Sequence, residues 1–362
     1  MTHTDMVYLP SLIALSLVVL STACSSADEL PSASSICREQ LQAHVTRAQD
    51  AGVFTVEGKE GWLFPASELR FLTVGRFWGE AAEKVSRSMK SDRADPLPGI
   101  VGFHEALKAK DIELIVVPVP PKAVVYPDKI TSLPGNVRYG VAIQKFYNEL
   151  RSLGVSILDL TDEFIAFRET HSAPLYCKSD THWSPTACTI AAAAMYEIVK
   201  DRAWLQSRER KPFIKDLVEI DVVGDLLEPS SASAAPPEKL ELSQVFQVDQ
   251  GEKKAVETDE ASPVILMGDS HTIVFQDGTL HAARGGLADH LAASLGFPLD
   301  VRFRNRGSGS SAVRRNLLRK QIQAARNGED YLGNKKLVIW CFTAREFTES
   351  TDGWPVMPVE KE

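Results

Sequence analysis

Cysteine is scarce in this 362-residue sequence: there are five, and no two form a C-x-x-C pair. That excludes a zinc ribbon and a thioredoxin-type motif. An excess of positive charge is also missing. Forty Lys and Arg stand against 48 Asp and Glu, a net charge of −8, which excludes a protein that grips nucleic acid through its overall field. Twenty prolines and 22 glycines do not fit collagen or coiled-coil arrays. Long apolar runs are nearly absent. The single one runs from Met6 to Ala23, densest over Leu12–Leu20, short of the roughly 20 apolar residues a spanning helix needs.

What is present begins with that run. Ser21-Thr22-Ala23-Cys24 follows it, small residues ending in cysteine. The pattern reads as a secretory signal over residues 1–23, cleaved before Cys24, with Cys24 a candidate lipid site, although no Lys or Arg precedes the apolar stretch. Export leaves Cys37, Cys177, Cys188 and Cys341, which allow three pairings. The sequence leaves open whether Cys177 or Cys188 joins a disulfide that stiffens the segment between them or both stay free and buried.

Apolar residues make up 44% and charged residues 24%, an ordinary globular composition. Residues 24–54 read as a tether and lead-in, Ser/Ala-rich over 25–36, and 351–362 as a tail. Between them, short apolar runs alternate with helical spacing. The runs are Ile112–Val117, Val155–Leu158, Val264–Met267, Leu299–Phe303 and Leu337–Trp340. Helices are expected over Phe103–Lys110, Val141–Leu153, Pro185–Lys200, Leu287–Leu295 and Ala312–Ala325, the third capped by Ser184 with Pro185 at its first position. This rhythm predicts an α/β fold, a mostly parallel sheet covered on both faces. Residues 205–260 break it and, with the Pro/Ser/Ala run at 229–237, read as a flexible insertion.

In such sheets, functional residues collect at the C-terminal ends of strands. Asp159 follows the second run and Arg345 and Glu346 follow the last. Gly268-Asp269-Ser270-His271 follows the third. A serine on a tight turn beyond a buried strand exposes its hydroxyl while its own N–H faces the same space, as a nucleophile with an oxyanion donor requires. Asp180-Thr181-His182-Trp183 supplies the complement. Spacing of two lets the Asp180 carboxylate reach His182 Nδ1–H and leaves Nε2 free as base. After the fourth run, Asn305, Arg306, Gly307 and Gly309 offer backbone N–H groups and substrate contacts, to which Arg345 is added. Two D-x-H units, Asp180/His182 and Asp269/His271, form a rival metal pattern. His271, beside Ser270, reads better as a local hydrogen-bond partner or substrate contact, and no metal or other cofactor is expected. A local basic patch comprises Arg302, Arg304, Arg306, Arg314, Arg315, Arg319 and Lys320, of which the first three lie near the supposed site.

Several motifs in fixed order carry a resemblance: Gly58–Phe64, Val117–Tyr126, Asp180–Trp183, Gly224-Asp225-Leu226, Gly268–His271 and Val338–Glu346. Together they resemble the alginate O-acetylation family, AlgJ/AlgX, whose proteins are SGNH-hydrolase-like. The resemblance implies a three-layer α/β/α domain over 55–350 in which Asp-x-His precedes Gly-Asp-Ser, a permuted order. It implies a periplasmic acetyltransferase acting on an exported, alginate-like polysaccharide, with Ser270 as nucleophile, His182 as base and Asp180 as its orienting acid. A membrane-bound O-acyltransferase is the implied acetyl-donor partner. A polysaccharide esterase or deacetylase on the same fold, and a non-catalytic polysaccharide-binding subunit, are the rival readings.

Overall fold

The computed structural model describes residues 32–228, 236–303 and 311–357. The leader, Cys24, most of the 229–237 run and the Arg304–Gly309 motif lie outside the described residues.

Ten strands occur among the described residues: β1 (Thr55–Glu57), β2 (Leu63–Pro65), β3 (Glu113–Val119), β4 (Ser156–Ile157), β5 (Phe213–Val222), β6 (Glu238–Asp249), β7 (Glu252–Lys254), β8 (Val264–Gly268), β9 (Asp300–Phe303) and β10 (Leu337–Thr343). The five apolar runs become one parallel sheet in the order β4-β3-β10-β8-β9. Alternate residues of its central strands enter two separate cores. Ile115, Val117, Val264, Leu266, Ile339 and Cys341 face one. Leu114, Val116, Ile265, Met267, Val338 and Trp340 face the other. Burial on both faces makes these strands continuously apolar, and the result is a three-layer α/β/α arrangement.

The Pro185–Val199 and Leu287–Leu295 helices cover the first face; Pro96–Lys108, Val141–Ser152 and Ser311–Arg326 cover the second. Ser184 caps Pro185–Val199 as expected, its Oγ accepting from the Ala187 N–H at 3.3 Å.

Two segments differ from the sequence expectation. The lead-in contains a helix, Ala33–Ala51, whose Cys37, Leu41, Val45 and Ala48 pack into the first core. Three- and four-residue spacing of those side chains, diluted by Ser and Ala before them, builds the buried stripe. The described residues of 205–260, read from the sequence as a flexible insertion, hold an antiparallel sheet, β5-β6-β7, with all ten β5 residues paired to β6. Leu240, Leu242 and Val245 anchor it to the body. Cys37, Cys177, Cys188 and Cys341 are all free and buried, behaving as small core hydrophobes.

Candidate active site

Because the central sheet is parallel, β3, β8 and β10 end on one rim, and three of the sequence-chosen side chains, Ser270, His182 and Asp180, meet there. The rim starts with a glycine that nothing can replace. A Cβ at Gly268 would lie 1.6 Å from the Cys341 carbonyl oxygen on neighbouring β10. The chain then turns. Asp269 Oδ1 accepts from the His271 N–H at 2.9 Å and Oδ2 from the Thr343 N–H at 2.8 Å, tying the turn to the end of β10. Ser270 opens a short 3-10 turn, Ser270–Thr272. An N–H at that first position has no acceptor inside the turn, so it is available to a ligand.

His182 Nε2 stands 2.8 Å from Ser270 Oγ, and His182 Nδ1 stands 2.6 Å from Asp180 Oδ1. Asp180 Oδ1 also accepts the His182 backbone N–H at 2.8 Å, which fixes the residue's conformation as well as its ring. Burial of His182 disfavours its charged form, but the hydrogen bond and charge of Asp180 outweigh it, and the imidazole pKa is raised. Burial acts against Asp180 ionisation too. Hydrogen bonds from His182 and His281 nevertheless hold its carboxyl well below the usual range. The arrangement is that of a base oriented by a carboxylate and bonded to a hydroxyl.

Three supports went unread in the sequence. Lys122, fully buried, reaches the carbonyl oxygens of Leu63 and Cys177 at 2.7 Å, Lys178 at 2.9 Å and Asp180 at 3.0 Å. It ties the loop carrying Asp180 to β2. Burial pulls its pKa down to about 8, which leaves it mostly charged at neutral pH. Asp225 holds the same loop from the other side. Its N–H donates to Asp180 Oδ2 at 2.9 Å, and its carboxylate accepts the Thr181 N–H at 2.7 Å and the Thr181 hydroxyl at 2.8 Å. Gly224 permits this approach, since a Cβ there would lie 1.9 Å from the Ser179 carbonyl oxygen. The lysine and the Gly-Asp pair sit inside motifs noted above, but no sequence spacing ties them to Asp180.

The third support is His281, whose Nε2 lies 3.0 Å from Asp180 Oδ2. Its ring stacks on Phe275, centroids 5.5 Å apart. Phe275, His281 and Arg284 all have positive φ, 64°, 65° and 68°. Three bulky residues in the left-handed region within ten positions cost energy that the surrounding structure must hold. Ligand atoms of Asp180, His182 and His281 fall within 4.8 Å of one another, a donor set that overlaps what a divalent cation takes. Here the two imidazole nitrogens meet the two oxygens of one carboxylate at hydrogen-bond distance.

The rival D-x-H pair does not join this cluster. His271 is buried behind the turn, with Nδ1 3.4 Å from Asp269 Oδ1 and its ring 4.9 Å from that of His182. Burial lowers its pKa, against the opposing pull of Asp269, so it sits neutral beside the site. Its carbonyl accepts from Trp183 Nε1 at 3.1 Å, locking the two motifs together. Arg345 Nη1 donates to Thr343 Oγ1 at 3.2 Å and lies 3.9 Å from buried Glu68. Asp159 caps its own turn, accepting from the Thr161 N–H at 3.0 Å. Asn305, Arg306, Gly307 and Gly309 lie outside the described residues.

Three described members of the basic patch are paired with carboxylates. Arg302 pairs with Asp300 at 2.6 Å and Glu260 at 2.9 Å, Lys320 with Glu260 at 2.6 Å and Arg315 with Asp352 at 2.5 Å. Arg314 is buried between Trp340 and Trp354. Arg319 remains exposed, with no carboxylate partner among the described residues. No described helix is long and apolar enough to cross a membrane.

Residues 55–343 match the family described as SGNH hydrolase-like domain, acetyltransferase AlgX. Two curated relatives, both called probable alginate O-acetylase AlgJ, come from Pseudomonas syringae pv. tomato and Pseudomonas fluorescens. Each is 24% identical, over 164 and 180 residues. Those alignments take in 45% and 48% of this chain but 38% and 45% of the relatives, so the chain spans less than half of their length. The O-acetyltransferase domain of Pseudomonas putida AlgJ superposes with a TM-score of 0.59 at 20% identity, covering 82% of this chain and 93% of that one. Pseudomonas aeruginosa AlgX gives 0.56 at 15%, covering 84% and 65%. At these identities the two structures establish the fold.

Proposed function

Since this chain belongs to the SGNH hydrolase-like family of the acetyltransferase AlgX, we propose that it moves acetyl groups onto hydroxyls of an exported, alginate-like polysaccharide through an acyl-serine. The observation that carries this reading is the pair of contacts at His182, 2.8 Å to Ser270 Oγ and 2.6 Å to Asp180 Oδ1. The names of the curated relatives, alginate O-acetylases, support the acetyl group and the acceptor class.

His182 Nε2 takes the Ser270 proton as Oγ attacks the donor's acetyl carbonyl. Negative charge gathers on the carbonyl oxygen, where the Ser270 N–H is one donor. Gly307 or Gly309 is the proposed second donor, and Asn305 and Arg306 the proposed substrate contacts. The tetrahedral intermediate collapses, and His182 returns the proton to the departing group. A sugar hydroxyl then loses its proton to His182 and attacks the acyl-serine, freeing Ser270 Oγ to recover that proton. Asp180 stays ionised and stabilises the imidazolium in both halves. Residues 1–23 serve as export leader, Cys24 as lipid site, and a membrane-bound O-acyltransferase as acetyl source in the periplasm.

The test is mass spectrometry after exposure to an activated acetyl ester. One acetyl group on the peptide carrying Ser270, absent in Ser270→Ala, is the expected result. Addition of an oligosaccharide acceptor should move that acetyl to sugar. Free acetate with no acetyl-sugar at every acceptor concentration makes the protein an esterase instead. An unmodified serine removes the acyl-enzyme.

A further inference from the structure

Two clefts meet beside the catalytic rim, and nothing above uses them. The inner one, about 350 Å³, is walled in part by Ile273, Gln276, Asp289 and Phe303. The outer one, about 530 Å³, is walled in part by Phe303, Asn316 and Arg319. Val301 and Phe303, at the end of edge strand β9, line both. Register places the inner cleft next to the nucleophile. Phe303 pairs with Gly268, two residues before Ser270, so the two backbones are about 4.8 Å apart there. The Ile273 N–H donates to the Ser270 carbonyl at 3.1 Å. The loop that carries His281 to Asp180 thus also walls this cleft.

The chemistry of the two clefts differs. Gln276, Asp277 and Asp289 give the inner one acceptors, and the Arg284 guanidinium stands at its wall as well. Gln276 Oε1 is buried with no described partner, and Asp289, itself buried, uses one carboxylate oxygen on the Gly286 N–H at 3.0 Å. Acceptors suit a ligand rich in hydroxyl donors. The outer cleft offers donors, the Asn316 amide and the exposed Arg319 guanidinium, which has no carboxylate partner among the described residues. A guanidinium suits a carboxylate. Between them stands Phe303, 40% exposed, an apolar face at a strand end. A flat apolar face flanked by polar groups matches a sugar ring, which is apolar on its C–H faces and polar around its edge.

We propose that the acceptor polymer lies across Phe303, one sugar's hydroxyls against Gln276 and Asp289 in the inner cleft and a neighbouring sugar's anionic group on Arg319 in the outer. This rests on the acyl-serine reading and adds the acceptor's track and the residues that read it. Hydroxyls in the inner cleft stand nearest Ser270, so the acetylated sugar is the one held there, and the anionic sugar next to it supplies register.

The test measures binding, so it survives failure of the chemistry. The full chain with Ser270→Ala is titrated by calorimetry with a short oligouronate and with an uncharged oligosaccharide of equal length. The oligouronate should bind at least tenfold more tightly, and added salt should remove that advantage. In the same background, Phe303→Ala should weaken both ligands about tenfold. Arg319→Ala should weaken the oligouronate about tenfold and leave the uncharged ligand unchanged. Met89→Ala, an exposed apolar site outside the groove, is the control and should bind as the parent. Melting temperatures matching the parent show that the variants fold. Equal affinity for the two ligands, parental binding by Phe303→Ala, or no binding of either ligand by the parent overturns the proposal. Failure to acetylate Ser270 in the wild-type chain, with these binding results intact, refutes the acyl-serine and leaves the groove.

Discussion

His281→Phe tests how much of the site's basicity is set from outside the Ser270–His182–Asp180 line. Phenylalanine keeps a ring to stack on Phe275 and removes the donor 3.0 Å from Asp180 Oδ2. Asp180 then retains three donors: the His182 backbone N–H at 2.8 Å, His182 Nδ1 at 2.6 Å and the Asp225 N–H at 2.9 Å. A hydrogen bond to a charged group contributes roughly 1.5–3 kcal/mol, and about 1.4 kcal/mol is tenfold in rate. If most of that holds the carboxylate in place, kcat/KM falls about 10- to 100-fold. The direction of the pH change follows from charge. With one donor gone, more of the carboxylate's charge falls on His182, so the already raised imidazole pKa rises further. Neutral His182 is the active form, so the acid limb of kcat/KM moves to higher pH. His281→Gln, which restores an N–H donor, should return the limb toward wild type. The assay is turnover of a small acetyl ester across pH. A His281→Phe enzyme with wild-type kcat/KM and an unmoved acid limb refutes the coupling.

Asp180→Asn removes the largest of the influences that raise the His182 pKa and leaves only the more distant charges of Asp225 and Asp269 against burial, so the acid limb should move to lower pH. Turnover should fall about 10⁴-fold because the tautomer is no longer fixed; both are read from one pH profile. Lys122→Met strips four carbonyl oxygens of their shared donor. Thermal unfolding should show a loss of about 3 kcal/mol, since unmet buried acceptors cost roughly 1–3 kcal/mol each and part is regained by not burying a charge. Gly224→Ala drives a methyl against the Ser179 carbonyl oxygen, 1.9 Å away. It should lower turnover more than stability, because the displaced chain carries Asp180. An unchanged kcat would show that the Gly224 contact does not set the carboxylate's place.

The sheet was readable because burial on both faces leaves a strand few alternatives to Val, Ile and Leu, and all five apolar runs became strands of it. The Ala33–Ala51 helix was hidden by composition, since Ser and Ala fit a tether as well as a helix whose stripe is four residues. The β5–β6 pair escaped for a related reason. β5 alternates over Val218-Glu219-Ile220-Asp221-Val222 but buries only Val222, and the Pro/Ser/Ala run at 229–237 gives the region a loop composition that masks so short a period-2 stretch. The basic patch failed differently. Arg302 and Lys320 share Glu260 across gaps of 42 and 60 positions, and charge pairing at such range leaves no mark in a local window.

Local order determined the chemistry of each half-site. Gly-Asp-Ser after a buried strand makes an exposed hydroxyl, and Asp-x-His makes an oriented imidazole, because each depends on backbone within a few residues. Their meeting across 88 positions was decided by the tertiary fold: the parallel sheet presents Ser270 at the end of β8, and the loop before the Pro185–Val199 helix, held by Lys122 and Asp225, brings His182 to it. Lys122, Asp225 and His281 belong wholly to that second level. A carboxylate has room for several donors, and which distant N–H groups fill it is set by how loops pack above the sheet, which no short stretch of chain encodes.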